Sequence, residues 1–212
     1  AGSTQLVHVL PPECQQGGLE ALTRNLADAS FREMLKNRML TGSDFENISL
    51  LVGFENIVVS SVPQDGLRQY EGRSIASIAD AQGKDPFTCL FDLLQAAHCD
   101  MTMIDFITDE ADIDAILQDA HSCVISDSTY PTTGMLHPRV YGTFTTLLEH
   151  FVREKRVLSV EAAVQKCTGR PAAVMGLRQK GVLAPGMDAD VNIFDLAQIH
   201  TNATYQQPEQ FS

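Results

Sequence analysis

The stretch CVISDSTYPTTGMLHPRVYG, residues 123–142, contains an apolar segment that ends in an ionisable side chain. Its first three residues predict a buried strand, and Asp127 stands at the end of that strand. The loop that follows carries His137, Pro138 and Arg139. Active and binding sites of α/β proteins lie at the carboxyl ends of the strands, so Asp127 and the residues of this loop are candidate functional residues.

Strand-like and helix-like segments alternate on both sides of this stretch. Hydrophobic periodicity predicts strands at 5–10, 48–53, 56–62, 101–108 and 122–126. It predicts helices at about 18–39, 72–84, 86–97, 109–119, 141–156 and 159–168. This order predicts an α/β fold in which helices flank parallel strands that end near Ser60, Thr108 and Asp127. About four or five strands are too few for a complete (β/α)8 barrel.

The composition changes after Leu177. The segment RQKGVLAPGMDADVNIFDLAQI has Gly, Pro and Asp residues on both sides of VNIF. Turn residues that bracket a short apolar run predict antiparallel β structure in this part of the chain.

The charge balance limits the classes of partner. The chain has 15 Lys and Arg against 27 Asp and Glu, a formal net charge of −12, so we expect neither nucleic acid nor an anionic membrane as a partner. No apolar run approaches the roughly 18–20 residues of a membrane-spanning helix, and no signal peptide opens the chain. The five cysteines form no C-x-x-C pair, which predicts reduced thiols in a cytoplasmic protein.

Each candidate residue also has a purely structural interpretation. Asp127 is either a turn residue that caps its loop or a carboxylate that transfers protons beside a metal. Arg139 is either a surface residue next to a stiff proline or a clamp for a substrate carboxylate. Ser60 lies at the end of NIVVS. Its hydroxyl either forms a hydrogen bond within its own turn or is a third candidate polar group at the end of a strand. The residues by themselves leave these alternatives open.

Several recognisable sites are absent from the sequence. The six histidines show neither H-x-H nor H-E-x-x-H spacing, so we expect this chain alone to bind zinc weakly or not at all. The nucleophile motif G-x-S-x-G and the phosphate-binding motifs G-x-x-x-x-G-K-[ST] and G-x-G-x-x-G are also missing.

In combination, several segments resemble the C-terminal part of the N-acyl-D-amino-acid deacylases, or D-aminoacylases, of the amidohydrolase superfamily. The G-x-L-x-P-G-x-x-A-D pattern near the end is widespread in amidohydrolases, whereas YEGRS and HPR-x-x-GTF point to the deacylase branch. The similarity covers nearly the whole chain. The segments that carry it are LPPECQQGG, YEGRSIASIADAQGKDPF, VISDS, HPRVYGTF, VQKCTGRPAAVMGL and GVLAPGMDADVNIFD.

The resemblance implies a fold and a cofactor. It implies the C-terminal portion of a (β/α)8 metal-dependent hydrolase barrel over residues 1–177 and part of a small β-sandwich over 178–212. In the family the metal, usually zinc, is held by an H-x-H pair, a cysteine and further histidines from earlier strands. We therefore expect the chain to be an internal piece of a longer protein that lacks the metal-binding strands and is inactive alone.

The resemblance also implies roles for particular residues. Asp127, in the S-D motif, corresponds to the general acid/base and is a candidate metal ligand together with ligands outside this chain. Arg139 of HPR and Ser60 correspond to contacts with the substrate carboxylate. The family commonly has S-D-G, whereas this chain has Ser128 after Asp127, which predicts a change in the loop conformation.

Three functions follow from these observations. The first is zinc-dependent hydrolysis of the linear amide bond of N-acyl-D-amino acids, with N-acyl-D-glutamate and neutral D-amino acids both open. The second is hydrolysis of a cyclic amide of the hydantoin or dihydroorotate kind, which HPR-x-x-GTF makes less favoured. The third is a non-catalytic structural module. The sequence does not decide the oligomeric state, and a homo-oligomer is among the alternatives.

Overall fold

The computed structural model describes residues 1–128 and 135–211, which form two compact units. The N-terminal unit contains Ala1–Thr108 together with residues 135–137. The C-terminal unit contains residues 109–128 and 138–211. Within these residues, no helix combines the length and the hydrophobicity that crossing a bilayer requires.

The N-terminal unit is a mixed helix and sheet structure. Its strands are β1 (Gly2–Gln5), β2 (Ile57–Ser61) and β3 (Thr102–Asp105). Its α-helices are α1 (Gly18–Asn25), α2 (Ala29–Thr41), α3 (Ile48–Val52), α4 (Ile75–Gln82) and α5 (Pro86–Ala96). Short 3₁₀ helices cover Leu6–Val9, Pro12–Gln15, Phe54–Asn56 and Asp65–Tyr70.

The prediction of parallel strands is wrong for these residues. The sheet has the order β1-β3-β2, and β3 pairs antiparallel with both neighbours. In β2 and β3, Ile57 lies opposite Asp105 and Ser61 opposite Thr102. The connection between β2 and β3 explains this direction. A single crossover helix would return the chain so that the next strand runs parallel to the first, whereas the two consecutive helices α4 and α5 reverse the chain direction once more.

Two predicted strands of this unit are helical instead. Residues 6–9 of QLVHVL form a 3₁₀ turn, and ISLLV forms α3. Asn47 explains the second case, because its side-chain oxygen accepts from Leu50 N at 3.4 Å while its amide donates to Met39 O at 2.6 Å. Gly53, with φ +75°, then ends the helix. A capped and terminated segment becomes helical even when its composition suits a strand.

The predicted starts and stops of the next helices are confirmed. Ser74 caps α4 by accepting from Ser77 N, and Gly83 ends it in the left-handed conformation, with φ +64°. Asp85 caps α5, and Pro86 occupies its first turn, where a missing N–H removes no helical hydrogen bond. Strand β2 also lies within the predicted range 56–62.

The helices and the sheet of the N-terminal unit enclose one apolar core. Its largest fully buried side chains come from every part of the unit, so the sheet and the helices bury their apolar faces against one another. Burial of each such side chain contributes about 1.5–3 kcal/mol. They are Leu6, Leu10, Leu22, Leu26, Leu35, Met39, Ile57, Ile75, Ile78, Leu90, Phe91 and Leu94.

The C-terminal unit is helical in its described residues. A small core of Leu117, Leu147, Val152 and Ala163 lies between its helices. The predicted helices 109–119 and 159–168 are confirmed, and Asp109 and Ser159 cap them by accepting from a backbone N–H of the first turn. The helices are α6 (Glu110–Gln118), α7 (Arg139–Thr146), a π-helix (Leu147–Glu154), α8 (Val160–Cys167) and α9 (Gly169–Val174).

The predicted strand 122–126 is absent, because residues 122–128 have no regular secondary structure. Its backbone partner is a helix end and not a strand: Val124 N donates to Lys166 O at 3.0 Å. The Lys166 ammonium group donates to Asp119 O at 2.6 Å and to Ser122 Oγ at 2.8 Å. An apolar segment forms a strand only where another strand offers a partner, and the described part of this unit offers none.

The described residues 178–211 also contain no strand, so the antiparallel β structure predicted around VNIF is not found there. The predicted helix 141–156 is confirmed as α7 and the π-helix, which follow each other without a break. The assignment of residues 178–212 to a β-sandwich stays a prediction.

A cluster of charges joins α6 to the π-helix. His150 Nε2 lies 2.5 Å from Glu110 Oε1, and His150 Nδ1 lies 3.0 Å from Glu154 Oε2. Lys155 Nζ lies 3.1 Å from the same Glu110 oxygen and 2.6 Å from Asp114 Oδ2. The hydrogen bond to Glu110, followed by the one to Glu154, raises the pKa of His150 above its ordinary value of 6.5.

This cluster predicts a pH-dependent contribution to stability. The folded state raises the pKa of His150, so its protonation favours folding; the contribution is complete below about pH 6.5 and is lost as the pH rises through the raised value. We expect His150→Gln to lower the thermal midpoint at about pH 6 and to have little effect at about pH 9. Thermal unfolding of both proteins across this range measures the difference.

His121→Gln is the matched control, because His121 lies in the same unit with a side chain that is 94% exposed. We expect this control to change the thermal midpoint little at every pH. A His150→Gln effect of equal size at both ends of the pH range would contradict the assigned role of the charge.

Candidate functional site

Asp127 lies in an unusual backbone conformation. Its φ is +46°, in the left-handed region, and its side chain is 77% exposed. Asp tolerates this region better than most residues, but an L-residue there still costs roughly 1–2 kcal/mol. The left-handed residue of the motif is therefore Asp127 itself. Ser128 does not have a positive φ, so this backbone accepts serine at the position where the family commonly has glycine.

The structure brings Asp127 and Arg139 together within the C-terminal unit. Arg139 Nη1 lies 3.4 Å from Asp127 Oδ2, longer than the about 2.7–2.9 Å of a strong charge-assisted hydrogen bond. The guanidinium side chain is only 19% exposed, whereas the carboxylate faces solvent. A long contact with one exposed partner contributes about 0–1 kcal/mol.

Arg139 owes its position to the start of α7. Pro138, with φ −60° and ψ −17°, precedes it in a helical conformation and sets the direction of the first turn. Thr143 Oγ1 donates to Arg139 O at 2.6 Å and fastens that turn. The HPR motif thus fixes an arginine at the N-terminal end of a helix, where the residue before it is a rigid proline.

Ser60 belongs to the N-terminal unit and lies at a β-bulge. The register of β2 and β3 shifts between Val59 and Ser61, which leaves Ser60 as the extra residue. Its hydroxyl donates to Met135 O, and Met135 N donates to Ser60 O at 2.7 Å. Ser60 is buried and its hydroxyl is used to fasten residue 135, an interaction that the sequence did not predict.

Gly142 is a packing residue that sequence reasoning missed. A Cβ atom at this position would lie 2.7 Å from Thr201 Oγ1 and 3.3 Å from Ala203 Cβ. Only a residue without Cβ allows residues 201–203 to approach α7 this closely. A glycine inside a helix, where alanine is favoured by about 1 kcal/mol, is the signal in the sequence that indicates such an approach.

Glu149 is a second residue that sequence reasoning missed. Its side chain is 9% exposed and accepts from Arg153 Nη2 at 2.8 Å and from Thr201 N at 2.7 Å. The spacing of Glu149 and Arg153, four residues apart in a helix, predicts their ion pair. Nothing in the sequence indicates that residues near 200 complete the shell of this carboxylate.

No group of three or more His, Cys, Asp or Glu side chains in residues 1–128 and 135–211 is arranged to hold a metal ion. Asp127 contributes one accessible carboxylate, and the nearest charged group that the structure gives it is the cation of Arg139. The donor set present in the described residues therefore does not fit a zinc site, which needs three or four converging ligands.

Comparison with known proteins identifies a family. The model of the amidohydrolase family matches residues 58–210. N-acyl-D-glutamate deacylase from Alcaligenes xylosoxydans xylosoxydans is 38% identical over 137 residues, which are 65% of this chain and 27% of that protein. Dihydroorotase from Lactobacillus gasseri is 47% identical, but over 53 residues, which are 25% of this chain and 12% of that protein.

A solved structure is similar as well. The N-acyl-D-glutamate deacylase of Bordetella bronchiseptica, crystallised with zinc and a phosphonate inhibitor that mimics the tetrahedral intermediate, superposes with a TM-score of 0.65 at 31% identity. The superposition covers 81% of this chain and 32% of that structure. The matches therefore span about a third or less of the length of these relatives.

The contact of Gly142 with Thr201 predicts the result of adding a methyl group. In a solvent-exposed helix Gly→Ala stabilises by about 1 kcal/mol, but at Gly142 the new Cβ meets Thr201 Oγ1 at 2.7 Å. We expect Gly142→Ala to lower the free energy of unfolding by about 1–3 kcal/mol, the usual cost of overpacking. Chemical denaturation measures this change.

The double variant Gly142→Ala/Thr201→Ala tests the cause. The Thr201 hydroxyl oxygen is buried and accepts or donates no hydrogen bond within the described residues, so its removal relieves the clash at little cost. We expect the double variant to recover most of the lost stability. Gly66→Ala, where the added Cβ meets open space, is the control and should change stability by less than about 0.5 kcal/mol. Equal destabilisation of the single and double variants would show that the contact with Thr201 is not responsible.

Proposed function

This chain belongs to the amidohydrolase family, and from that premise we propose that it is part of a hydrolase that cleaves the amide bond of N-acyl-D-amino acids. The similarity to N-acyl-D-glutamate deacylases supports the linear amide as the substrate and makes N-acyl-D-glutamate the first compound to test. The activity is proposed for the protein that contains this chain, since the matches span about a third or less of these relatives.

The observation that carries the proposal is the exposed carboxylate of Asp127, which lies in a left-handed backbone conformation 3.4 Å from Arg139. A left-handed Asp costs roughly 1–2 kcal/mol, and its 3.4 Å surface contact with Arg139 returns about 0–1 kcal/mol. Glycine would occupy the same conformation without strain. Asp tolerates this conformation, and His98, Cys99 and Arg156 adopt it as well, so the support for a chemical role comes from the exposed carboxylate beside the guanidinium of Arg139.

In the proposed reaction Asp127 transfers one proton twice. Its carboxylate accepts a proton from the attacking water, and the resulting hydroxide adds to the acyl carbonyl carbon. Asp127, now protonated, delivers that proton to the amide nitrogen, and the C–N bond breaks. The products are a carboxylic acid and a D-amino acid, and Asp127 returns to its ionised form.

Arg139 is proposed to bind the α-carboxylate of the amino-acid part of the substrate. Its planar guanidinium matches the geometry of a carboxylate, and it lies 3.4 Å from the Asp127 carboxylate that is proposed to transfer the proton. Ser60 is proposed, independently of Arg139, as a contact with the substrate. A substrate carboxylate needs a donor, so Ser60 contributes only when its hydroxyl turns away from Met135 O.

Zinc is proposed as the cofactor of the whole protein, held by ligands outside this chain with Asp127 as at most one of them. The described residues do not form a zinc site of their own. We therefore assign to this chain only the proton transfer and the substrate contacts, and propose that the chain alone is inactive.

A cyclic amide is the alternative substrate, supported by the similarity to a dihydroorotase over 25% of the chain. The two functions differ in the product, because a linear amide yields two molecules and a cyclic amide yields one. Assays of the whole protein with N-acetyl-D-glutamate and with dihydroorotate in parallel decide between them.

The proton-transfer role predicts the effect of Asp127→Asn. Asn is nearly isosteric but cannot accept and return a proton, so we expect kcat of the full-length protein to fall by about 10²–10⁴-fold. Asn tolerates the left-handed conformation at least as well as Asp, so the fold and the KM should change little. Steady-state kinetics with N-acetyl-D-glutamate and thermal unfolding give both results.

Asp112→Asn is the matched control, since Asp112 is an exposed residue in the first turn of α6 and its variant should keep kcat near the wild-type value. If Asp127→Asn also keeps kcat within about threefold, a change far smaller than loss of acid/base catalysis causes, then Asp127 is only a turn residue.

The missing ligand spacing predicts weak zinc binding by this chain. With no H-x-H pair in the sequence, the isolated 212-residue chain should lose zinc readily to a chelator and should not hydrolyse N-acetyl-D-glutamate. Elemental analysis after dialysis against a chelator measures the zinc content. One zinc ion per chain that survives this treatment would mean that the chain contains a ligand set of its own.

A further inference from the structure

Residues 196–205, which we call the strap, are attached to the helical stretch 139–154. At one end Arg153 Nη1 donates to Leu196 O at 3.1 Å and also to Ile199 O. One guanidinium group thus fixes two carbonyl oxygens of an irregular segment, which has no secondary structure of its own to satisfy them.

The middle of the strap is held by a buried carboxylate. Glu149 accepts from His200 Nδ1 at 2.6 Å, from Thr201 N at 2.7 Å and from Arg153 Nη2 at 2.8 Å. Burial raises the pKa of Glu149, but the hydrogen bonds from Thr201 N and His200, with the charge of Arg153, outweigh burial and hold this pKa below its ordinary value. The carboxylate is therefore ionised at neutral pH, and charge-assisted bonds of this kind are roughly twice as strong as neutral ones.

The other end of the strap lies over the first turns of α7. Gly142 lets Ala203 approach, since a Cβ at Gly142 would lie 3.3 Å from Ala203 Cβ. Tyr205 is half-buried, and burial raises the pKa of its phenol. The positive charge of Arg139 partly offsets that rise. From residue 196 to residue 203 the strap contacts Arg153, then Glu149, then Gly142, so it runs along the helix towards its N-terminal end. Arg139 lies three positions before Gly142 and therefore on the same face of α7.

We propose that the strap positions Arg139 for the substrate carboxylate and that Glu149 is the positioning residue that anchors it. The inference rests on the proposed function, in which Arg139 binds that carboxylate. Glu149 lies ten positions after Arg139, nearly three helical turns, and acts through the strap without touching substrate. The strap limits the positions that the partly buried guanidinium can adopt, which lowers the entropy lost when the substrate binds.

The test uses Glu149→Gln in the full-length protein. An amide has one acceptor oxygen and presents an NH₂ group to donors, so it cannot satisfy Arg153, His200 and Thr201 together. We expect the KM for N-acetyl-D-glutamate to rise about tenfold while kcat stays within about threefold. The KM for the α-amide of the same compound, which lacks the carboxylate that Arg139 binds, should not change.

Hydrogen exchange supplies the structural measurement, and Glu161→Gln supplies the control. Backbone amides of residues 200–205 should exchange faster in Glu149→Gln, and the exposed Glu161, which lies on α8, should leave exchange and kinetics unchanged when it is replaced. Arg153→Lys is a second variant in case Glu149→Gln fails to fold, since it releases the strap carbonyl oxygens and keeps the positive charge.

Arg139→Lys, measured alongside, separates this inference from the proposed function. If Arg139→Lys leaves the KM for the acid unchanged, the role of Arg139 in the proposed function fails. If Arg139→Lys raises that KM but Glu149→Gln does not, the strap alone is overturned. Equal losses with the acid and the α-amide in Glu149→Gln would mean that Glu149 has only a structural role, which also overturns the positioning.

Discussion

A buried carboxylate must be surrounded by donors, and the described C-terminal unit is arranged around this requirement at Glu149. An ionised group that is 9% exposed would cost several kcal/mol if it were unpaired, so its three donors are a condition of folding. Two of those donors come from residues 200 and 201, in a segment without regular secondary structure. The carboxylate therefore gives an irregular segment a fixed place that its own backbone could not provide.

The local signals of the sequence predicted helix ends well. Ser74, Asp85, Asp109 and Ser159 each cap a helix close to a predicted helix start, because a cap depends on neighbours two or three positions away. Strand direction was predicted wrongly, because it depends on how many helices pack between two strands and not on the strands themselves. The same holds for SCVIS, an apolar segment whose partner turned out to be Lys166 and the end of α8.

For the candidate site, too, the sequence predicted individual residues but not the contacts between them. Asp127 and Arg139 could be found from the sequence, because an ionisable residue after an apolar segment and an arginine after proline are local patterns. Their 3.4 Å contact could not be found, since it depends on the path of the chain between residues 127 and 139. For Ser60, the sequence indicated a polar strand end, but its hydrogen bond to Met135 O joins residues 75 positions apart.

Two residues of the stretch 123–142 oppose their local preferences, and the structure explains one of them. Gly142 weakens a helix by about 1 kcal/mol relative to alanine, but it admits Thr201 and Ala203 against α7, so packing accounts for its presence. Asp127 occupies a left-handed conformation that favours glycine, and its exposed carboxylate packs against nothing that would offset the cost. His98, Cys99 and Arg156 share the left-handed conformation, so the backbone alone does not distinguish Asp127; the exposed carboxylate beside Arg139 does. The contrast between these two residues agrees with the chemical role proposed for Asp127.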